Sequence, residues 1–347
     1  MSTQHRLVYL GRRKWLISVA LTSVQVRRLK PTLHEISSVL EILLGHGADP
    51  AQRSAPLYAT PLHCAAHIFE SLQPDMFVVV RAALQHLLLQ LCRDGGAACV
   101  NAVDAFGVPV FVRLLTASRR WLTAGPAAAT PPVARTVVQF LGRALAQFLR
   151  HGLDADAALA MLRPRRGGRA VVASGYYREL VAFVVAPVAD AQFYDDARRL
   201  LVVLAQRGGN PNAATLTSPT PPGDTGLVLL STDEAPVSCL LARVLLGQHD
   251  SVAVAGAAAT LDFFYRTLSQ AKLRQLADGI QSYMGVGAAV SPASRALLLR
   301  LTANVPRPLR ILCRIAVADS LHWRLAKGCP LLPLPRTLLH SLVNFDL

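Results

Sequence analysis

The nearest thing to a catalytic or metal-binding constellation in this chain is His63-Cys64-Ala65-Ala66-His67, two histidines about one helical turn apart. Imidazoles at that spacing hold zinc in metalloproteases, where a glutamate directly after the first histidine acts as base. Here Cys64 takes that place and no acidic third ligand lies nearby, so no metal site is expected. Gly285-Val286-Gly287-Ala288-Ala289-Val290 comes close to a dinucleotide fingerprint. The pattern ahead of it, up to Met284, is helical rather than a strand, so the segment reads as a loop. Arg163-Pro164-Arg165-Arg166-Gly167-Gly168-Arg169 is the densest basic run and could grip phosphates. Without interleaved aromatics, it reads instead as a solvated loop. Neither G-x-x-x-x-G-K nor G-x-S-x-G occurs, and the 21 acidic residues form no paired carboxylates for acid–base work. The expectation is a protein that is not an enzyme and takes no cofactor.

The elements that position these residues are read from composition first. At 347 residues, 52% hydrophobic and only 16% charged, the chain has ample material for a core, in one large domain or two to three smaller ones. Aromatics are scarce at 6% while Ala and Leu dominate, which favours helix over sheet. The fold class expected is all-α. The formal charge of +15 is carried by arginine, Lys14, Lys30, Lys272 and Lys327 being the lysines. Because the arginines are scattered, nucleic acid is not the expected partner; the charge leans toward an acidic protein. Six cysteines, at 64, 92, 99, 239, 313 and 329, show no C-x-x-C pairing and read as reduced thiols of a cytoplasmic or nuclear protein. Arg12-Arg13-Lys14 precedes an apolar run over 15–24, as in a leader peptide. Ser18, Thr22 and Ser23 interrupt that run and Gln25-Val26-Arg27-Arg28 follows it, with no small-residue cleavage site. Residues 1–32 are therefore expected to be a helical extension packed on the next helix. No segment is expected to span a membrane.

Internal repetition is visible. Val39-Leu40-Glu41-Ile42-Leu43-Leu44-Gly45-His46-Gly47-Ala48-Asp49-Pro50 leaves a helix through a polar turn, and Thr60-Pro61-Leu62-His63-Cys64-Ala65-Ala66 opens the next pair. Pro61 suits a first helical turn, Thr60 can cap it, and His63 can bridge neighbouring loops. These strings resemble an ankyrin repeat, whose T-P-L-H-x-A signature is matched from Thr60 to Ala65. In that repeat the Cys64 position points into the stack, which argues against a nucleophile. Weaker echoes of the exit end at Gly96, Gly152 and Gly208, roughly 50–56 residues apart. The ankyrin norm is about 33 residues, so extended helices or insertions are expected, with loops over 123–133 and 212–224. After 225 the repeat fades, although 237–246 and 261–276 read as helices by periodicity. The expectation for 33–299 is an ankyrin-type helical solenoid of diverged, extended repeats. Its turn tips near Arg53, Asp104, Asp156 and Asn212 are the first places to look for substrate contacts.

The tail carries the strongest signal. Pro308 suits the start of a helix, and Leu309, Leu312/Cys313, Ala316/Val317 and Ser320/Leu321 then form one stripe at three- and four-residue steps. Arg310 and Arg314 flank that stripe and are expected to stay in water. Such a helix reads as a helix-in-groove ligand, with Leu309 as the knob and the small Cys313 at the closest approach. Leu331-Leu332-Pro333-Leu334-Pro335 follows, a stiff, extended segment that lacks two backbone donors, and then an apolar helix with Leu338 and Leu342. The tail resembles a SOCS box. Pro308, Leu309, Cys313 and Val317 fit that family's Elongin-binding pattern, and Leu332 to Pro335 fits its leucine-proline-leucine-proline cullin motif. One position departs: Ser341 stands where the family commonly has an aromatic, with Phe345 one turn on.

The two likenesses together place the chain beside the ankyrin repeat and SOCS box-containing family. That resemblance implies a three-helix SOCS box over 300–347, whose Leu309, Leu312, Cys313, Ala316 and Val317 contact Elongin C, itself paired with Elongin B. It implies that Leu332, Pro333, Leu334, Pro335 and Leu338 contact a cullin, by precedent Cullin-5 with a RING-box protein. The function it implies is substrate recognition for a cullin–RING ubiquitin ligase, leading to ubiquitination and proteasomal degradation. The alternative is an ankyrin interaction scaffold whose tail only caps the stack.

Overall fold

The structure, a computed structural model, describes residues 8–9, 15–16, 26–53, 60–123, 130–165, 168–186, 188, 190–214, 216, 235–246, 251–284, 292–302 and 307–344. Among them the chain is almost wholly helical, as an all-α protein should be. It divides into two compact units, one of residues 1–153 with 160–162, the other of 154–159 with 163–347.

The first unit contains two short paired strands, β1 (Val8–Tyr9) and β2 (Trp15–Leu16), then α1 (Val26–Gly45), α2 (Pro61–Ser71), α3 (Pro74–Val100), α4 (Val110–Thr123) and α5 (Pro131–Arg150). The extension expected to be helical thus begins extended, with Val8 opposite Leu16 and Tyr9 opposite Trp15. Aromatic and β-branched side chains favour that pairing. α2 packs on α4, while α3 packs on both α1 and α5, giving two layers. Between them Phe69 stacks on Phe140 at 5.3 Å and meets Phe77 edge-on, with Trp121 centred 4.4 Å away. Edge-to-face and offset geometries satisfy the ring quadrupoles, so this cluster fixes the layer spacing. α3, whose 27 residues are kinked at Gly96 (φ 52), is long and apolar enough to cross a membrane, but half of its most apolar stretch is buried among its neighbours. The exit expected at Gly96 is this kink and not a helix end.

The start of α2 explains why His63 is there. Thr60 caps the helix through a reciprocal capping box with His63, and Pro61 supplies the preset first turn. The His63 ring lies 2.9 Å from Thr60 Oγ1 on one side and 3.2 Å from the Val108 carbonyl on the other, tying this turn to the loop before α4. In that loop Asp104 is buried. It accepts from the Phe106 and Val108 amides and pairs with Arg113, which also reaches Glu70. Gly107 (φ 72) lies so close to the Ala160 carbonyl that a Cβ has no room.

After α5 the chain forms a hairpin-like pair, β3 (Leu159–Arg165) and β4 (Gly168–Ser174). The basic run expected as a loop is therefore strand over Arg163–Arg165 and Gly168–Arg169, because the flanking residues (Leu159, Met161; Ala170, Val171, Val172) carry enough apolar and β-branched character to pair.

The second unit continues with α6 (Tyr176–Val184), α7 (Ala191–Gln206), α8 (Val237–Leu246), α9 (Ser251–Thr267), α10 (Gln270–Met284) and α11 (Pro292–Thr302). Here α8 packs on α6 and α10, and α9 packs on α7 and α11, again in two layers. α8 matches the helix expected at 237–246. The single helix expected over 261–276 is broken at Leu268–Ser269, since Asn212 Oδ1 accepts from the Ser269 amide at 2.6 Å and Ser269 then caps α10. The expected loop at 123–133 is shorter, because Pro131 opens α5. Residues 217–234 and 285–290 lie outside the described set, so most of the expected 212–224 loop and the glycine-rich segment do too.

Three helices end alike. Ala48 N bonds to Leu43 O, Leu153 N to Phe148 O and Gly209 N to Leu204 O, around left-handed Gly47, Gly152 and Gly208. This is the Schellman ending that glycine permits. The exits are also linked: within the first unit Asn101 Nδ2 donates to Gly152 O at 2.8 Å, and within the second Asn210 N donates to Asp156 Oδ1 at 2.6 Å. Asp104 and Asn212, expected at substrate-facing tips, are spent on internal hydrogen bonds; Asp156 is exposed but also accepts from the Asn210 amide, and Arg53 is exposed.

Candidate protein-docking surface

The tail completes the second unit with α12 (Leu309–Ser320), α13 (Leu325–Gly328), a 3-10 turn (Cys329–Leu331) and α14 (Arg336–Asn344). α12 packs on α9, while α13 and α14 pack on α7. The tail therefore lies along α7 and α9.

Arg307 anchors the start. Its guanidinium is buried, donates to the Tyr265 and Leu268 carbonyls at 2.9 and 2.6 Å, and lies 5.9 Å from the Tyr265 ring. Those carbonyls end α9, where the helix dipole favours a cation. Burial lowers the Arg307 pKa somewhat from its ordinary value. Pro308 then caps α12, its carbonyl accepting from the Ile311 amide at 2.8 Å.

α12 has two apolar faces. Ile311, Ile315 and Ala318 turn inward and are buried. Leu309 is 74% exposed and Leu312 41%, Cys313 and Ala316 are exposed, and Val317 is half-buried. The five residues expected to meet Elongin C thus share the outward side. Arg310 stays in water as expected. Arg314 does not: it is 2% exposed and its Nη2 donates to Ser341 Oγ at 3.2 Å. The helical period puts Arg314 between Ile311 and Ile315 on the inner face, where its aliphatic stem packs and a hydroxyl meets its head.

The helix ends at a strained corner. His322 (φ 48) and Trp323 (φ 57) are both left-handed, a conformation bulky residues rarely adopt. It is held because Trp323 is fully buried and its indole N–H donates to Asp319 at 2.8 Å. The chain then turns back through Cys329, buried, to Leu331, which at 84% exposed is the most open large apolar residue in the tail. Leu332 is half-buried, while Pro333, Leu334, Pro335 and Leu338 are exposed. α14 is held from α7 by Gln206 Nε2, which donates to Val343 O at 2.7 Å. Leu342 is half-buried, as is Ser341; Phe345 lies outside the described residues. Leu331 is a contact candidate that the sequence motifs do not include. Its signal is its place at the end of a three-residue 3-10 turn just ahead of two prolines, too short an element to give it a buried face.

Two patches follow from this: one on α12 centred on Leu309 and Leu312, one running from Leu331 to Leu338. Scattered exposed leucines are ordinary; here they gather along one tail.

The histidine pair does not converge on a common site. His63 is buried in the turn, its pKa lowered to about 4 chiefly by desolvation, while His67 is exposed and 3.5 Å from Glu70. Cys64 is half-buried and burial pushes its thiol up, away from the thiolate a nucleophile needs. Comparison with family models, curated proteins and solved structures returned no match.

Proposed function

We propose that the chain is the substrate-recognition adaptor of an Elongin B/C–cullin–RING ubiquitin ligase, acting in the cytoplasm. In this reading the helix pairs of each unit are diverged, lengthened ankyrin repeats, and the tail from Arg307 to Asn344 is a SOCS box. The Thr60–His63 turn, the two-layer helix packing and the Schellman exits support the first part. The observation that carries the second is the two-sided α12. Ile311, Arg314, Ile315 and Ala318 close one face, while Leu309, Leu312 and Cys313 are left for another polypeptide.

Leu309 would insert into a groove on Elongin C, with Leu312, Cys313, Ala316 and Val317 around it. Leu332, Pro333, Leu334, Pro335 and Leu338 would meet the cullin, by family precedent Cullin-5 with its RING-box protein, and Leu331 joins that surface. The protein's own contribution is proximity. By holding substrate and ligase on one scaffold it raises the effective concentration of substrate lysines at the ubiquitin-charged conjugating enzyme.

The test is reconstitution. The full chain is purified with and without Elongin B/C, and binding is measured by calorimetry, followed by capture of the Cullin-5 N-terminal region. The expected result is a complex with one copy of each Elongin, better solubility than the chain alone, and cullin capture that depends on Elongin. A chain that is monodisperse alone and gives no heat with micromolar Elongin B/C refutes the adaptor and leaves the interaction scaffold.

A further inference from the structure

Arg314 and Ser341 stand in relation to the two exposed patches in a way neither patch explains. Arg314 lies on the inner face of α12, behind the Leu309–Leu312 patch. Ser341 lies on α14, one turn after Leu338. The guanidinium of one donates to the hydroxyl of the other at 3.2 Å. A cation that is 2% exposed has to be hydrogen-bonded, because water no longer solvates it. Two residues further along α14, the Val343 carbonyl is held by Gln206 from α7 at 2.7 Å. The last turn of α14 is therefore tied to two different helices, while Leu338, one turn before Ser341, is 52% exposed.

We infer that Ser341 is a positioning residue: through Arg314 it fixes α14 against α12, so that the two apolar patches are presented as one pre-organised, two-part docking surface. The identity of the two partners rests on the proposed ligase role; the coupling of the patches does not. At 341 the serine hydroxyl supplies an oxygen acceptor to the Arg314 guanidinium. Pre-organisation of this kind strengthens binding by removing the ordering cost at the second patch, not by adding a contact.

The experiment compares the full chain with its Ser341→Ala and Ser341→Thr variants, each as purified with Elongin B/C. Threonine keeps the hydroxyl. Amide hydrogen exchange reports the tie directly. Ser341→Ala should speed exchange across 336–344 by roughly 10-fold and across 311–318 by clearly less, since α12 keeps its buried Ile311, Ile315 and Ala318, and Ser341→Thr should restore the wild-type pattern. With the Cullin-5 N-terminal region as probe, Ser341→Ala should weaken capture about 3- to 10-fold. Elongin B/C affinity should stay within about twofold, since the α12 face is untouched. Unchanged exchange in Ser341→Ala overturns the inference. So does parallel acceleration of both helices, or an equal fall in affinity for both partners. If the wild-type chain binds neither Elongin nor cullin, the ligase role fails, and the exchange pattern still decides whether Ser341 positions α14.

Discussion

Truncating Leu309 to alanine separates a docking residue from a packing residue, because the structure assigns it an unusual state. Its side chain is 74% exposed at the first position of α12, so about three-quarters of its surface is available to a partner. Full burial of a leucine is worth roughly 1.5–3 kcal/mol, which scales here to about 1–2 kcal/mol on docking. Each 1.4 kcal/mol is tenfold in affinity, so Leu309→Ala should weaken Elongin B/C binding about 5- to 30-fold. The same truncation removes almost nothing from the fold, and its unfolding midpoint should stay near wild type, within about 0.5 kcal/mol of stability. Ile311, two positions on and buried, is the matched control. Ile311→Ala leaves a cavity against α9 and should cost about 2–4 kcal/mol of stability. Calorimetry against purified Elongin B/C and thermal melts of the same three preparations read both quantities. If Leu309→Ala binds like wild type, or if its melting point falls as far as that of Ile311→Ala, the outward assignment of this face is wrong.

Further predictions come from groups already placed. His63 has its pKa held at about 4 in the folded chain, against an ordinary value of 6.5, so the unfolded chain binds the proton more readily. Its share of stability is complete above pH 6.5 and is lost as pH falls toward 4. By linkage, lowering the pH from 7.5 to 5 should remove about 2 kcal/mol through this residue alone, seen as a shallower pH dependence of the urea midpoint in His63→Asn than in wild type. Of the six cysteines Cys313 is exposed, while burial pushes the thiols of Cys64, Cys92, Cys99, Cys239 and Cys329 up. Iodoacetamide at pH 8 should modify Cys313 first, read by peptide mass spectrometry, and bound Elongin B/C should protect it. Thr60→Ala removes the cap of α2 and should cost about 1 kcal/mol in chemical denaturation.

How much of this was legible in the sequence depends on how local its cause is. The Thr60–His63 turn and the glycine exits were visible because they are set by neighbours within one helical turn: a cap, a preset φ, a left-handed residue. The helix at 237–246 was visible for the same reason. What could not be read depended on distant partners. Asp104 looked like an exposed tip, and only the fold brings Arg113 and two loop amides around it. The run over 261–276 looked continuous, and it is Asn212, far back in the chain, that breaks it. The strands at 159–174 were hidden by their arginines, which mark a segment as wet without saying whether its backbone is paired.

α12 shows the same limit at the candidate site. Its sequence contains two interleaved apolar stripes, Leu309-Leu312-Cys313-Ala316 and Ile311-Ile315-Ala318, about two residues out of phase. From the sequence, the leucine stripe is taken as the face for a partner and the isoleucine stripe is passed over, because the spacing of apolar residues describes the helix in isolation and not the surface it meets. Charge misleads at one position: Arg314, expected to stay in water beside the leucine stripe, is sealed in with the isoleucines. Burial is decided by what the opposing surface offers. α9 supplies packing for Ile311, Ile315 and Ala318, and α14 supplies an oxygen for Arg314, so the stripe with the charge is the one that closes. The uninterrupted stripe is left outside, in water. A charged residue sealed in and a leucine face turned out are the two observations on which the proposed partner of α12 rests.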